Sequence, residues 1–298
     1  MNRRQVLAVG LGASALAACA SPDTDKETER KAVISPEQYR QAFEGFAVNV
    51  ESWWTERPFE ARFDLAAQNH FSHVEFWFID SWKRDAKALA KLAADAGVKV
   101  AQIVGDAPAL AKPEVRGEFL DNVKRAIENA QILGTDIVTL TGHQDVDGIS
   151  TADALKTYQD HIAASAELWD GAKIYAAIEP FNPHNHPGHF VYGHTEALRI
   201  CEEIASPYVK INWDLFHMQR HEGELIGNLR RGKDQICYMQ LADSPDRHQP
   251  GTGEIDYKNV IKACREAGYT RPIGLELWAK GGDYAAAGED IYNLAISL

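Results

Sequence analysis

Cysteine and positive charge are both scarce in this chain. The 298 residues include four cysteines, and no two of them are spaced as Cys-x-x-Cys. One, Cys19, falls in the N-terminal segment. Cys201, Cys237 and Cys264 are an odd set scattered through apolar stretches, which excludes a disulfide framework and a cysteine-built zinc site and predicts buried thiols. Lys and Arg number 31 against 43 Asp and Glu, a formal net charge of −12. A surface of that sign excludes a polyanion such as DNA as the natural partner. No Gly-x-Gly-x-x-Gly follows the first strand-like run, so a dinucleotide-binding domain has no support. The apolar stretch from Val6 to Leu16 is too short to span a bilayer as a permanent anchor.

What is present begins with that stretch. "MNRRQVLAVGLGASALAACA" carries Arg3-Arg4, an apolar core and small residues leading to a cysteine. We read residues 1–19 as a twin-arginine/lipoprotein-type signal, because "LAAC" resembles the bacterial box in which lipid is attached to the cysteine, here Cys19. Residues 20–40, with the charged "SPDTDKETERK", read as a tether. The expectation is export to the periplasmic face with lipid-mediated membrane anchoring through Cys19. Ala20 rather than Asp follows the cysteine, so no retention signal is seen. Removing residues 1–18 takes away Arg3 and Arg4 and moves the net charge from −12 to −14.

Residues 41–298 read as one domain, large enough to bury a substantial core. Eight short apolar runs recur through it: "FAVNV" (46–50), "HVEFWF" (73–78), "VKVAQIV" (98–104), "DIVTLTG" (136–142), "KIYAAIE" (173–179), "YVKINWD" (208–214), "ICYMQLAD" (236–243) and "PIGLELW" (272–278). Amphipathic stretches lie between them, such as "DAKALAKLAADAG" with Gly97 at its stop and "EVRGEFLDNVKRAIENAQILG" stopped by Gly134. Thr151 and Thr195 are the expected caps of two others. Near-continuous apolar strands alternating with helices imply a parallel sheet covered on both faces. Eight such units predict a single (β/α)8 TIM barrel rather than an open sheet.

In such a barrel the site lies at the carboxyl ends of the strands. The polar residues there are Glu179 on the fifth run, Asp214 on the sixth, Gln240 (followed by Asp243) on the seventh and Glu276 on the eighth. One acid at a strand end usually caps a helix or sits on the rim. Four oxygen donors on consecutive strands, each among Ile, Leu, Trp and Met, suggest convergence, and three converging carboxylates repel unless a cation lies between them. An all-oxygen set favours one hard divalent cation, Mn2+ or Mg2+, over zinc.

The motifs "AIEPFN", "NWDLFH", "YMQLAD", "PGTGEIDY" and "GLELW" stand in the order and spacing of the xylose isomerase-like TIM barrels, and the chain resembles the hydroxypyruvate isomerase branch most. The likeness covers essentially everything after residue 40. It implies that Glu179, Asp214, Gln240 and Glu276 are the metal ligands, that Glu179 and Glu276 are the catalytic acid/base pair, and that His217 contacts substrate. Gln at the strand-seven position matches the isomerase branch; ketose 3-epimerases that resemble this fold carry His there. After Glu179 the chain reads "EPFNPHNHPGH", where sugar-epimerase relatives carry Asn-Arg and another acid, so the substrate end of the pocket differs.

Further candidate substrate contacts are His143 after the fourth run, His186 in the Pro- and Asn-rich loop with His184 and His189, Glu75 on the second run, and Arg247 after the seventh. Trp53, Trp54 and Trp278 are candidates for apolar walls. The expected partner is a small-molecule sugar or keto-acid, and the expected activity is a metal-dependent isomerase or epimerase working through an ene-diolate. A lyase or hydrolase of oxidised sugars, a sugar-binding lipoprotein and an endonuclease IV-like phosphodiesterase are the other readings. Relatives often pair through barrel-face loops, so a homo-oligomer is possible by analogy.

Overall fold

The computed structural model describes residues 34–298. The signal, Cys19 and most of the tether lie outside the described residues. The tether does not extend to residue 40, because Pro36–Phe43 forms the first helix, α1. Ser35 caps it by accepting from Gln38 N, and the Gln38 side chain accepts in return from Ser35 N, a reciprocal capping box that sequence periodicity alone does not flag. Tyr39 and Phe43 then pack on Tyr292 and Phe71, which makes this helix part of the domain.

Eight parallel strands follow: β1 (Phe46–Asn49), β2 (His73–Phe76), β3 (Lys99–Val104), β4 (Ile137–Leu140), β5 (Tyr175–Ile178), β6 (Val209–Asp214), β7 (Ile236–Gln240) and β8 (Ile273–Leu275). They close in sequence order, with β8 paired to β1 through Phe46↔Ile273 and Val48↔Leu275. Each lies inside one of the eight apolar runs. The (β/α)8 barrel is thus the observed fold.

The intervening helices are α2 (Ala61–Gln68), α3 (Ala86–Ala96), α4 (Arg116–Leu133), α5 (Thr151–Ala172), α6 (Gly193–Ile204), α7 (Leu215–His221), α8 (Leu225–Gly232), α9 (Tyr257–Glu266) and α10 (Tyr284–Ala295). Gly97 and Gly134 close α3 and α4 in the left-handed conformation, with φ of 73° and 71°, as the pattern predicts. The two threonine caps are corrected. Ser150, one residue earlier than Thr151, accepts from Asp153 N, and α6 already starts at Gly193, which places Thr195 within its first turn. The first shift follows from backbone geometry that the Ser150-Thr151 pair leaves open; at the second, Tyr192 precedes the helix and no side chain caps it.

Alternation along the strands sorts their side chains. On β2, Val74 and Phe76 flank Glu75, and Phe76 meets Phe63 of α2 with ring centroids 5.8 Å apart. Glu75 faces the opposite way, into the barrel. Asn49, Gln102, Thr139, Asn212, Tyr238 and Gln240 are buried with it, so the interior holds a polar layer beneath the strand ends. The three described cysteines are free and buried.

Candidate active site

Each expected acid reaches the same mouth by a different local device. Glu179 follows the last residue of β5, its N–H donating to Leu140 O (3.1 Å) so that it still belongs to the sheet. Asp214 ends β6 and caps α7, with Oδ1 accepting from Phe216 N at 2.8 Å. Glu276 follows β8 directly. All three are buried, at 6 %, 1 % and 7 % exposure. A cavity of about 350 Å³ opens above them, lined by Glu179, His217, Arg247 and Glu276 together with Phe181, His186, His189 and Trp278.

Burial and mutual repulsion dominate the electrostatics. Desolvation, then the neighbouring Glu276 and Asp214, raise Glu179 well above the ordinary carboxylate range. Glu276 is pushed up to about 8 by burial, even with Arg247 beside it. Asp214 is also raised by burial, with Arg247 opposing. Arg247 is the positive group of this cluster. Its Nη2 lies 2.9 Å from Asp214 Oδ2 and 3.2 Å from Glu276 Oε1, and its Nε donates to Glu276 O at 3.2 Å. Glu179 has no such partner.

The loop after β7 presents this arginine. Asp243, fully buried, accepts from the N–H groups of Ser244, Gly251, Gly253 and Ile255 at 2.9 to 3.1 Å. That carboxylate is the hub around which "PGTGE" is wrapped. Gly253 is required there, since a Cβ would lie 2.6 Å from Asp243 Oδ1 and collide with Ser244 O.

His217 faces the acids from α7, with Nε2 at 3.5 Å from Asp214 Oδ2 and 3.7 Å from Glu179 Oε1. Three ligand atoms of Glu179, Asp214 and His217 lie within 4.8 Å of one another, spacing suited to a cation. The hydrogen bonds argue against the histidine as a ligand, however. Asn182 Oδ1 accepts from His184 N and Asn185 N, so its Nδ2 is the atom that donates to His217 Nδ1 at 2.6 Å. The free lone pair of the neutral ring is then on Nδ1 and already engaged, while Nε2 carries the proton. Burial holds this ring neutral by lowering its pKa well below 6.5. His217 is therefore a hydrogen-bond donor toward the cavity, in keeping with a substrate contact.

Two expected substrate contacts are corrected. His143 is fully buried behind β5, where its Nε2 donates to Glu179 O at 3.0 Å; it braces the backbone that presents Glu179 and does not line the cavity. Its neighbour His189, whose Nδ1 is 3.1 Å from His143 Nδ1, lines the wall instead. Glu75 sits below the site, consumed by Asn49, Tyr238 and Gln240. Its place on an apolar strand misled the sequence reading, because alternation says that it points inward but not how deep. His186 and Arg247 line the cavity, His186 stacked on Phe181 with centroids 4.1 Å apart. Trp53 and Trp54 are buried against Phe71 and Tyr284 away from it, whereas Trp278 forms part of its wall.

Gln240 is buried, with Nε2 donating to Glu75 and Oε1 accepting from Asn212 Nδ2 at 2.6 Å. A carbonyl oxygen keeps a second lone pair, so this bond does not disqualify it as a donor to a cation. Sequence reasoning overlooked Asn182, which sets the His217 tautomer, and Asp243 as the hub of the arginine loop. Trp77, on the second run with Glu75, lines the cavity. Asn182 stands in the quoted "AIEPFN" motif, where a short amide after a strand end was the available signal.

A closed parallel barrel that brings three buried, mutually repelling acids and one arginine to the carboxyl ends of β5, β6 and β8 has the arrangement of an enzyme of the (β/α)8 class. The xylose isomerase-like TIM barrel profile matches residues 63–296, and the chain belongs to that family. It is 31 % identical to the hydroxypyruvate isomerase of Escherichia coli (strain K12), over 78 % of this chain and 92 % of that one. It is 28 % identical to a 2-oxo-tetronate isomerase of Cupriavidus necator, over 82 % of this chain and 96 % of the relative. A crystal structure from Brucella melitensis titled AP endonuclease, family 2, superposes with a TM-score of 0.74 at 26 % identity, covering 79 % of this chain and 93 % of that one.

Proposed function

We propose that the protein is a divalent-metal-dependent isomerase or epimerase of a keto-sugar or other 2-hydroxy-carbonyl compound, moving a proton through an ene-diolate. The observation that carries this reading is the pair Glu179 and Glu276, two carboxylates lining one cavity from β5 and β8, both raised by burial, Glu276 to about 8 and Glu179 well above the ordinary carboxylate range. The isomerase names of the two relatives support the same reaction class.

The donor set fits a cation. Three buried carboxylates stand together; Arg247 contacts Asp214 and Glu276 directly and acts on Glu179 only at longer range. Glu179, Asp214, Glu276 and the Gln240 oxygen are the residues that would hold Mn2+ or Mg2+, an all-oxygen set suited to hard cations. Such an ion supplies positive charge next to the substrate carbonyl and so acidifies the neighbouring C–H.

The chain's own groups do the rest. One glutamate takes the carbon-bound proton, and the other returns a proton to the adjacent carbon or to the opposite face. Which acts as base follows from the handedness of the substrate. The His217 Nε2–H donates to a substrate oxygen in the cavity, whose apolar wall includes Phe181 and Trp278. Proton transfer by positioned carboxylates is worth about 10²–10⁴ in rate.

The test is solvent exchange in D2O. Mn2+-loaded protein is incubated with keto-sugars and hydroxypyruvate, and deuterium at the carbon next to the carbonyl is followed by NMR. Metal-dependent exchange that disappears in both Glu179→Gln and Glu276→Gln is the expected result. Tight metal binding with no exchange on any compound would overturn the isomerase reading.

A further inference from the structure

The polar layer inside the barrel contains a carboxylate that the reaction above does not use. Glu75 Oε1 accepts from Asn49 Nδ2 at 2.9 Å and from Gln240 Nε2 at 3.0 Å, and its Oε2 accepts from the Tyr238 hydroxyl at 2.6 Å. All three donors are neutral. Holding a carboxylate in a barrel interior on neutral donors alone is costly, and an apolar side chain of similar size would avoid that cost. The barrel also gives up a side chain to make room. Gly274 of β8 is the register partner of Gln240, and a Cβ there would lie 2.7 Å from Glu75 Cδ. An arrangement that adds expense in two places calls for a purpose beyond packing.

The purpose is legible in the direction of the bonds. When Glu75 is ionised its Oε1 can only accept from Gln240, so the amide nitrogen faces it and the amide oxygen faces away. On that far side Oε1 of Gln240 accepts from Asn212 Nδ2 at 2.6 Å. Asn212 is itself oriented by a second donation to Thr139 Oγ1 (3.2 Å), and the Thr139 hydroxyl donates onward to Gln102 Oε1 (2.9 Å). Asn49 cannot reverse its own amide, because its Oδ1 accepts from Glu51 N at 2.9 Å. Gln240 and Asn49 are thus each held by a partner with one role only, the ionised carboxylate and the Glu51 N–H. Gln240 is in turn the register partner of Asp214, so the locked oxygen belongs to the strand pair that carries the central acid of the site.

We propose that Glu75 is a positioning residue for the cation: by fixing the Gln240 amide with its oxygen turned away from β2, it makes Gln240 an oxygen ligand and keeps its N–H2 group out of the site. The inference rests on the metal-dependent reading of the preceding subsection. A partner that orients a ligand in this way is typically worth about 10–100-fold in metal affinity.

Titration of the metal-depleted full chain with Mn2+ alone, followed by calorimetry, tests this without any substrate. Four proteins are compared: wild type, Glu75→Gln, Gln240→Leu and the double variant. The expected result is binding by wild type, binding about 10–100-fold weaker for Glu75→Gln, and a double variant no weaker than Gln240→Leu, since a residue acting through Gln240 has nothing left to act on. A general loss of fold or of negative charge would instead add in full to the Gln240→Leu defect, and that outcome overturns the proposal. So does a Glu75→Gln protein that binds Mn2+ as tightly as wild type. Wild type that takes up no Mn2+ overturns the metal-dependent reading and this inference with it, which separates the two failures. Should Glu75→Gln not fold, Gly274→Ala displaces the same carboxylate from β8 and carries the same expectation.

Discussion

Glu75 makes the metal-free protein sensitive to pH in a direction that can be worked out. Burial pushes its carboxyl up from the ordinary 4.5 to about 7, with the bonds from Tyr238, Gln240 and Asn49 only partly offsetting the desolvation. Between those two values the folded chain binds a proton that the unfolded chain has released, so stability falls as pH rises. Below about 4.5 the group is protonated in both states and contributes nothing. Above about 7 the cost is present in full, about 3 kcal/mol for the gap between 4.5 and about 7. For a domain of this size that corresponds to roughly 5–10 °C in Tm.

The raised Glu179 and Glu276 act with the same sign and extend the decline upward in pH. The buried neutral histidines act with the opposite sign below their ordinary value, His143 being lowered to about 3. A wild-type curve alone therefore mixes opposed slopes. The difference between wild type and Glu75→Gln isolates the carboxylate. In the presence of a chelator, the stability of the variant relative to wild type should rise by about 3 kcal/mol between about pH 4.5 and pH 8 in thermal or urea unfolding. Parallel curves across that range would refute the argument that Glu75 is held against its ordinary titration. The same substitution is expected to weaken Mn2+ binding, so this residue trades stability for the site.

Two more outcomes follow from local geometry. Gly253→Ala forces a methyl group against Asp243 and Ser244, and should lower stability to urea by about 1–3 kcal/mol while loosening the loop that carries Arg247; an unchanged denaturation midpoint would show that the loop is not wrapped on Asp243. In 15N NMR of the histidine rings, His217 should carry its proton on Nε2 in the wild type, and Asn182→Leu should release it to a mixture of tautomers. A wild-type ring protonated on Nδ1 would restore His217 as a candidate ligand.

The strand ends were legible because an acid terminating an apolar run breaks a pattern that is otherwise uniform. Ile211 and Trp213 before Asp214, and Leu275 before Glu276, announce a sheet interior, and the carboxylate after them announces its end. Helix stops at Gly97 and Gly134 were readable for a comparable reason, since the left-handed conformation there favours the residue without a side chain. Caps were less so. Ser150 and Thr151 offer the same hydroxyl chemistry, and only the backbone angles select between them.

Pairings across the barrel leave no local trace. Tyr238 meets Glu75 across a separation of 163 residues and Gln240 meets it across 165, because eight twisted strands close into a ring that turns their alternate side chains toward a shared centre. His143 and His189, 46 residues apart, meet for the same reason: the segment after β4 sets one ring behind Glu179, and the loop after β5 brings the other to the cavity wall. Near-continuous apolar runs and the acids that end them specify eight strands and the end where chemistry gathers, because those are properties of neighbours along the chain. Depth within the barrel, the partner each buried amide answers to, and the tautomer of His217 depend on ring closure, since they arise from atoms brought together across more than a hundred residues of intervening chain or by a loop that folds back over the mouth.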